Sequence, residues 1–386
     1  MRSSEGLDGE ILPIDRSEDV TEQLCADVGE CFIAGDVRSN EQKALVSFHS
    51  LFLREHNRIA RKLKIINNNW DGERVYQETR KIIGAVFQKI TYYDYLPVIL
   101  GPEPLPKYAG YNSSVNPGVS NSFATAAYRF GHSTIRPEFE QLNNEFESIA
   151  PAINLRFMFF NNTFVQQTGI EPLLFGLIGN FSEGVDRTLS SGIIKHLFER
   201  PNSPGQNLAA LNIQRSRDHG IPGYNEFRKL FRLTDAMTFN DTKNEITDSE
   251  NREILKRLYN DNPNLAELWV AGLAESPVAG GSVGPTFKFV IAEQMGRTRD
   301  GDRFFYEEKN VFSKNRLSEI KKASLSRIYC DNLRIISIQK NAFKAPTPLE
   351  PRIECSGIPG IDLCQWKGII NMHISLLFCN LTYIIN

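Results

Sequence analysis

The sequence has no excess of basic charge: 44 Lys and Arg stand against 46 Asp and Glu in 386 residues, a net charge of -2. That balance excludes the positive field with which proteins wrap nucleic acid. No run of 18 apolar residues occurs before the last 20 positions, so the body of the chain does not span a membrane. No basic segment followed by an apolar core opens the chain, and no signal peptide is visible. There is no C-x-x-C and no Cys/His pair at zinc-finger spacing, which argues against structural zinc. The G-x-S-x-G elbow, the G-x-x-x-x-G-K-[ST] loop and the H-E-x-x-H pair are all missing. AGGSVGPTFK is glycine-rich but lacks the phosphate-binding Lys-Ser/Thr ending. RDGDR at 299–303 offers too few oxygen ligands for a calcium loop. Clean period-two alternation is scarce, and neither a regular β-α-β order nor an internal repeat appears.

What is present suits one large core. Hydrophobic residues make up 41% of the chain and charged residues 23%, the balance of a globular protein. In 40–66, Leu45, Phe48, Phe52, Ile59, Leu63 and Ile66 fall on one stripe, which predicts a helix. A second helix follows Asp71 as N-cap, with Val75, Ile82, Ile83, Val86 and Ile90 inward and Pro97 as its stop. Residues 101–118 read as a loop, and a third helix is expected from Ser122 to Gly131. Residues 137–185 are mixed. Helical patterns return at 189–199, 206–215, 224–232, 249–259, 286–296 and 315–330. The prediction is a mainly α domain from about 30 to 366, with an N-terminal segment at 1–29 and an apolar tail at 367–386. The tail is broken by Asn371, His373 and Asn380, a poor membrane anchor, and reads equally as an altered gene end.

Six cysteines stand at 25, 31, 330, 355, 364 and 379. Cys25 with Cys31 and Cys330 with Cys355 could close short loops in an oxidising compartment; six buried thiols are the equal alternative. Asn-x-Ser/Thr acceptors at Asn112, Asn161, Asn180, Asn240 and Asn380 are weak evidence for secretion. His49 and His56, seven apart on one helix face, read as packing rather than metal ligation.

Three segments carry a specific signal: AGDVRSNEQ at 34–42 with REHNRIA at 54–60, YRFGHSTIRP at 128–137, and LNIQRSRDHGIPGY at 211–224. Together, and with WDGERVYQETRKIIGA, GPTFKFVIAEQ and SLSRIYCDN around them, they closely resemble the animal haem peroxidases. The resemblance runs over roughly residues 30–366 and implies that family's helical fold. It implies haem b held by His132 as proximal iron ligand, with the Asn212 amide oxygen accepting the Nδ1 proton and fixing the tautomer. By the same resemblance, Arg38 is the distal arginine that stabilises charge on the leaving oxygen of peroxide. Glu41 matches the glutamate that forms an ester with a haem methyl group. Arg129 and Arg215 match residues near the haem propionates, where charge-assisted pairing is expected. Gln42 stands where some members have a sulfonium-forming methionine, which puts the most oxidising halide chemistry in doubt. The bridges Cys25–Cys31 and Cys330–Cys355 fall where the family places disulfides.

The family's distal histidine, in a D-H-D-type motif, and its calcium loop lie upstream of the GD-x-R segment. Residues 1–37 contain neither. The resemblance therefore implies an N-terminally truncated member without the general base, the aspartate ester or the calcium ligands. The expected activity is a secreted or extracellular haem-dependent oxidation of phenolic or halide substrates by hydrogen peroxide, including in the response to oxidative stress. The rivals are a non-catalytic haem-binding or interaction protein derived from a peroxidase, and an incomplete gene model. Oligomeric state is not legible.

Overall fold

The apolar stripe of the first predicted helix folds as α1 (Lys43–Ile66), which buries Val46, Leu51, Leu53, Ile59 and Leu63. Gln42 caps it, its side-chain oxygen accepting from the Ala44 amide at 2.7 Å. The computed structural model describes residues 1–16, Cys25 and residues 31–368. All of the apolar tail except Lys367 and Gly368 lies outside them. Before α1, strands β1 (Ser4–Gly6) and β2 (Gly9–Ile11) pair antiparallel and put Ile11 and Leu12 into the main core. Asp8, in the turn between them, forms a buried ion pair with Arg54 of α1 at 2.7 Å. It also accepts from the amides of Ile170 and Glu171.

Asp71 caps α2 (Gly72–Lys89) as predicted, accepting from the Arg74 amide at 2.8 Å. Pro97 does not stop the rod. The chain runs on through a π-helical segment, Ile90–Tyr95, into α3 (Leu96–Leu100). The wider turn accommodates a residue without an N–H, and Pro97 sits in the first turn of α3, where a missing donor costs least. Gly101, at φ +86°, ends the run instead. The expected third helix is two pieces, α4 (Asn121–Thr125) and a 3-10 segment, Ala127–His132, broken at Ala126.

Beyond it, β3 (Glu138–Leu142) and β4 (Ser148–Asn154) form a hairpin. Then come α5 (Thr163–Thr168), α6 (Glu171–Gly179), α7 (Ser191–Ile194), α8 (Leu208–Asp218), α9 (Tyr224–Leu230), α10 (Ser249–Leu258) and α11 (Leu268–Ala274). α12 (Pro285–Asp300) follows, and the stretch 315–330 is two helices, α13 (Lys314–Ile320) and α14 (Leu325–Asn332). A short ladder of β5 (Ser337–Ile338) and β6 (Ile353–Glu354) lies beside α14. Among the described residues, then, the fold is mainly α, with strands only in two-stranded ladders. Both expected disulfides, Cys25–Cys31 and Cys330–Cys355, are formed. His49 bonds the Leu45 carbonyl at 2.7 Å and His56 packs beside Tyr76, so both serve the helix and its packing.

Candidate functional site

The site is assembled from three short stretches whose local structure is set by caps. Asp36 caps a 3-10 turn, Val37–Asn40, that carries Arg38 and leads to Glu41. The 3-10 segment after α4 carries Arg129 and ends at His132. Asn207 caps α8, accepting from the Ala210 amide at 3.0 Å, and α8 presents Asn212 and Arg215 three residues apart on one face. The Trp269 indole of α11 donates to the Arg129 carbonyl at 3.2 Å and ties the second stretch to the core.

Arg38, Glu41, Arg129, His132 and Arg215 all line one cavity of about 990 Å³. Its walls are otherwise mainly apolar, with Phe48, Leu155, Phe159, Leu177, Leu197 and Phe198 among them. Asn212 is fully buried behind His132. Its amide nitrogen stands 2.8 Å from His132 Nδ1, and its oxygen accepts from Arg129 Nη1 at 3.2 Å. The pair is brought together, but the oxygen faces Arg129 rather than the imidazole, because a guanidinium competes for it. Burial, and then the Arg129 charge, push the His132 pKa down to about 4, so the ring is neutral at physiological pH.

With Nδ1 engaged, Nε2 is the ring nitrogen left for a ligand, and it has no partner among the described residues. Glu41 is largely buried at the wall. Burial raises its pKa while Arg38 opposes the rise. Arg129 and Arg215 repel each other enough to lower the Arg129 pKa, after burial, and neither is paired to a carboxylate among the described residues. Arg38 points out of the wall. Its side chain is 77% exposed and clasps Asp36, with an ion-pair distance of 2.6 Å.

A large apolar slot, a neutral imidazole on one wall and two uncompensated guanidiniums at its edge fit a flat, iron-bearing macrocycle with carboxylate arms. The family model for animal haem peroxidases matches residues 1–343. The chain belongs to the animal haem peroxidase family. Peroxidasin of Drosophila melanogaster is 41% identical to this peroxidase-family chain over 345 residues, 87% of the chain and 22% of that protein. Thyroid peroxidase of Rattus norvegicus is 38% identical over 346 residues, again 87% of the chain and 38% of that protein. The chain thus spans between about a fifth and two fifths of the length of these relatives. Among solved structures, peroxidase A from Dictyostelium discoideum superposes with a TM-score of 0.77 at 35% identity, covering 89% of this chain and 66% of that one. A fatty acid alpha-dioxygenase from Arabidopsis thaliana, at 19% identity and a TM-score of 0.66, shares the fold.

Two cavity residues of this family member were not singled out by the sequence. Tyr128 precedes Arg129 within the quoted YRFGH segment. Asp36, within GDVR, redirects Arg38; its position two residues before an arginine at a 3-10 start was the available signal.

Proposed function

We propose that the chain is a haem-dependent peroxidase domain that uses hydrogen peroxide to oxidise a small phenol or halide outside the cell. The observation that carries this reading is the His132–Asn212 pair, 2.8 Å apart, on the wall of a cavity edged by two unpaired arginines. Haem b, when bound, supplies the reduction of peroxide to water and the matching oxidation of substrate.

The chain's own residues do the rest. His132 presents Nε2 to the metal. A half-turn of the Asn212 amide, free once Arg129 swings to a propionate, puts its oxygen on the Nδ1 proton and fixes the ligating tautomer. Arg129 and Arg215 hold the propionates by charge-assisted hydrogen bonds. Glu41 is the carboxylate available for an ester to the ring edge. Arg38, released from Asp36 and turned inward, stabilises negative charge developing on the leaving oxygen.

Haem titration followed by the Soret band tests the reading. The parent chain is expected to bind haem with a histidine-ligated spectrum, and His132→Ala to lose it. An unchanged spectrum in the variant overturns the assignment. A non-catalytic haem-binding role is the second reading, favoured by the outward, Asp36-bound position of Arg38. It predicts haem binding without peroxide consumption.

A further inference from the structure

Aromatic side chains run in contact from the haem cavity to the protein surface. Tyr128 lines the cavity. Its hydroxyl accepts a hydrogen bond from that of Tyr95, and its charge is felt at Tyr92. Tyr95 and Tyr92 stand three residues apart on the π-helical segment. Tyr92 meets Phe305 edge-on with ring centroids 5.3 Å apart. Phe305 touches Tyr108 at 4.8 Å and Tyr306 at 5.0 Å, and Tyr306 meets Tyr93 at 6.3 Å. Tyr93 is 46% exposed.

Packing accounts for the ring contacts. It does not account for the outer ends, where water could serve as the partner. There each phenol donates to its own carboxylate, Tyr93 to Glu307 at 2.8 Å and Tyr108 to Glu308 at 2.7 Å. Beside them opens a surface cleft of about 650 Å³, lined by Tyr111, Pro117, Arg303 and Phe304 among others. The Tyr111 amide shares the Glu308 carboxylate with Tyr108.

We propose that this array relays oxidising equivalents from the haem cavity through Tyr128, Tyr95 and Tyr92 to Tyr108 and Tyr93, where a phenol too bulky for the cavity is oxidised. The proposal rests on the haem-site reading above, and peroxide acting at that site is the oxidant. Each transfer moves one electron inward from ring to ring. Burial, and then the Glu307 carboxylate, push the Tyr93 pKa up to about 12, so this phenol is neutral and must shed its proton on oxidation. Glu307 takes that proton and Glu308 takes the one from Tyr108. An external phenol then gives an electron to the tyrosyl oxygen, and the carboxylic acid returns the proton. Over two such cycles two external phenols lose one electron and one proton each, and one peroxide becomes two waters.

Zinc protoporphyrin loaded into the full chain and photo-oxidised by a cobalt(III) ammine replaces the peroxide chemistry with light. A nitroso spin trap, mapped by peptide mass spectrometry, then reports which tyrosines were oxidised. Adducts are expected on Tyr93 and Tyr108. Tyr92→Phe, which breaks the relay without touching the cavity, should reduce them by at least about tenfold, the change made by a barrier increase of about 1.4 kcal/mol. Circular dichroism and the bound-porphyrin spectrum confirm that the variant is folded and loaded. Porphyrin bound and oxidised with no adduct at either tyrosine, or equal adducts in the variant, overturns the relay alone. Failure of the porphyrin to bind overturns both the relay and the haem-site reading, since the relay then has no source.

Discussion

Arg215 is exposed on α8 and free of carboxylate partners among the described residues, so its replacement disturbs little besides a ligand. Arg215→Ala should leave the melting temperature unchanged and weaken haem binding about tenfold, the value of one charge-assisted hydrogen bond. The loss should shrink at high salt, because the site is open to solvent. Spectrophotometric titrations at two ionic strengths check this, and equal affinities for parent and variant would remove Arg215 from the site. A second residue-scale expectation concerns Glu275, buried beside α12. It accepts from the Thr286 amide at 2.8 Å, the Thr286 hydroxyl at 2.6 Å and the Tyr224 hydroxyl at 2.7 Å. Burial pushes its pKa up from 4.5 to about 7, against the pull of these donors. The folded state therefore holds a proton that the unfolded chain releases near pH 4.5. This contribution to stability is full below that pH and is lost as the pH rises through about 7. Raising the pH from about 5 to 8 should cost the parent up to about 3 kcal/mol more than it costs Glu275→Gln. Parallel denaturant titrations at the two pH values read the difference; identical slopes would show that Glu275 is ionised in the fold. At this scale the sequence told much by resemblance and little by itself. His132 and Asn212 are 80 residues apart, and no local pattern joins them. The direction of Arg38 was not legible, because a nearer carboxylate two residues earlier decides it.

Elements were legible where one face was wet. The α1 and α2 stripes gave their helices and the Asp71 cap gave a boundary, because period and capping act within a few residues. α11, LWVAGLA, went unread because five of its seven residues, Leu268, Trp269, Ala271, Leu273 and Ala274, are buried apolar side chains and leave no contrasting face. Pro97 misled because a π-helical turn relaxed the constraint that usually ends a helix there. The ladder of β5 and β6 is too short to show an alternation at all, yet it is stapled to α14 by Cys330–Cys355. That bridge closes a loop with a sequence separation of 25, against 6 for Cys25–Cys31. In the chain-entropy account the longer loop contributes about 3.5 kcal/mol and the shorter about 2 kcal/mol. The paired serine variant at 330 and 355 should therefore lose more stability in urea than the pair at 25 and 31. The reverse order would mean that the shorter bridge holds native contacts beyond its loop.

For the whole molecule, the question is which half of the chemistry these residues can perform. The proximal side is complete: an imidazole, its amide partner and two arginines meet on one cavity. For proton transfer on peroxide, a base is also needed, and a neutral imidazole is the side chain best matched to that task near pH 7. Among the described residues lining the cavity, His132 is the one imidazole, and its Nε2 is committed to the metal in the proposed function. Glu41, with its pKa raised by burial, is the nearest substitute at the wall, but an ester bond there would consume it. Peroxide would have to pass its proton through water. The 386-residue polypeptide, loaded with haem, is therefore expected to oxidise guaiacol at least about a hundredfold more slowly than a relative with an imidazole base. Added imidazole should recover part of the rate by supplying the base from solution, which loss through misfolding would not allow. Steady-state rates with and without imidazole, on protein of matched haem content, decide the matter. A rate equal to that of the relative would place a working base elsewhere in the chain, with Glu41→Gln the first variant to locate it.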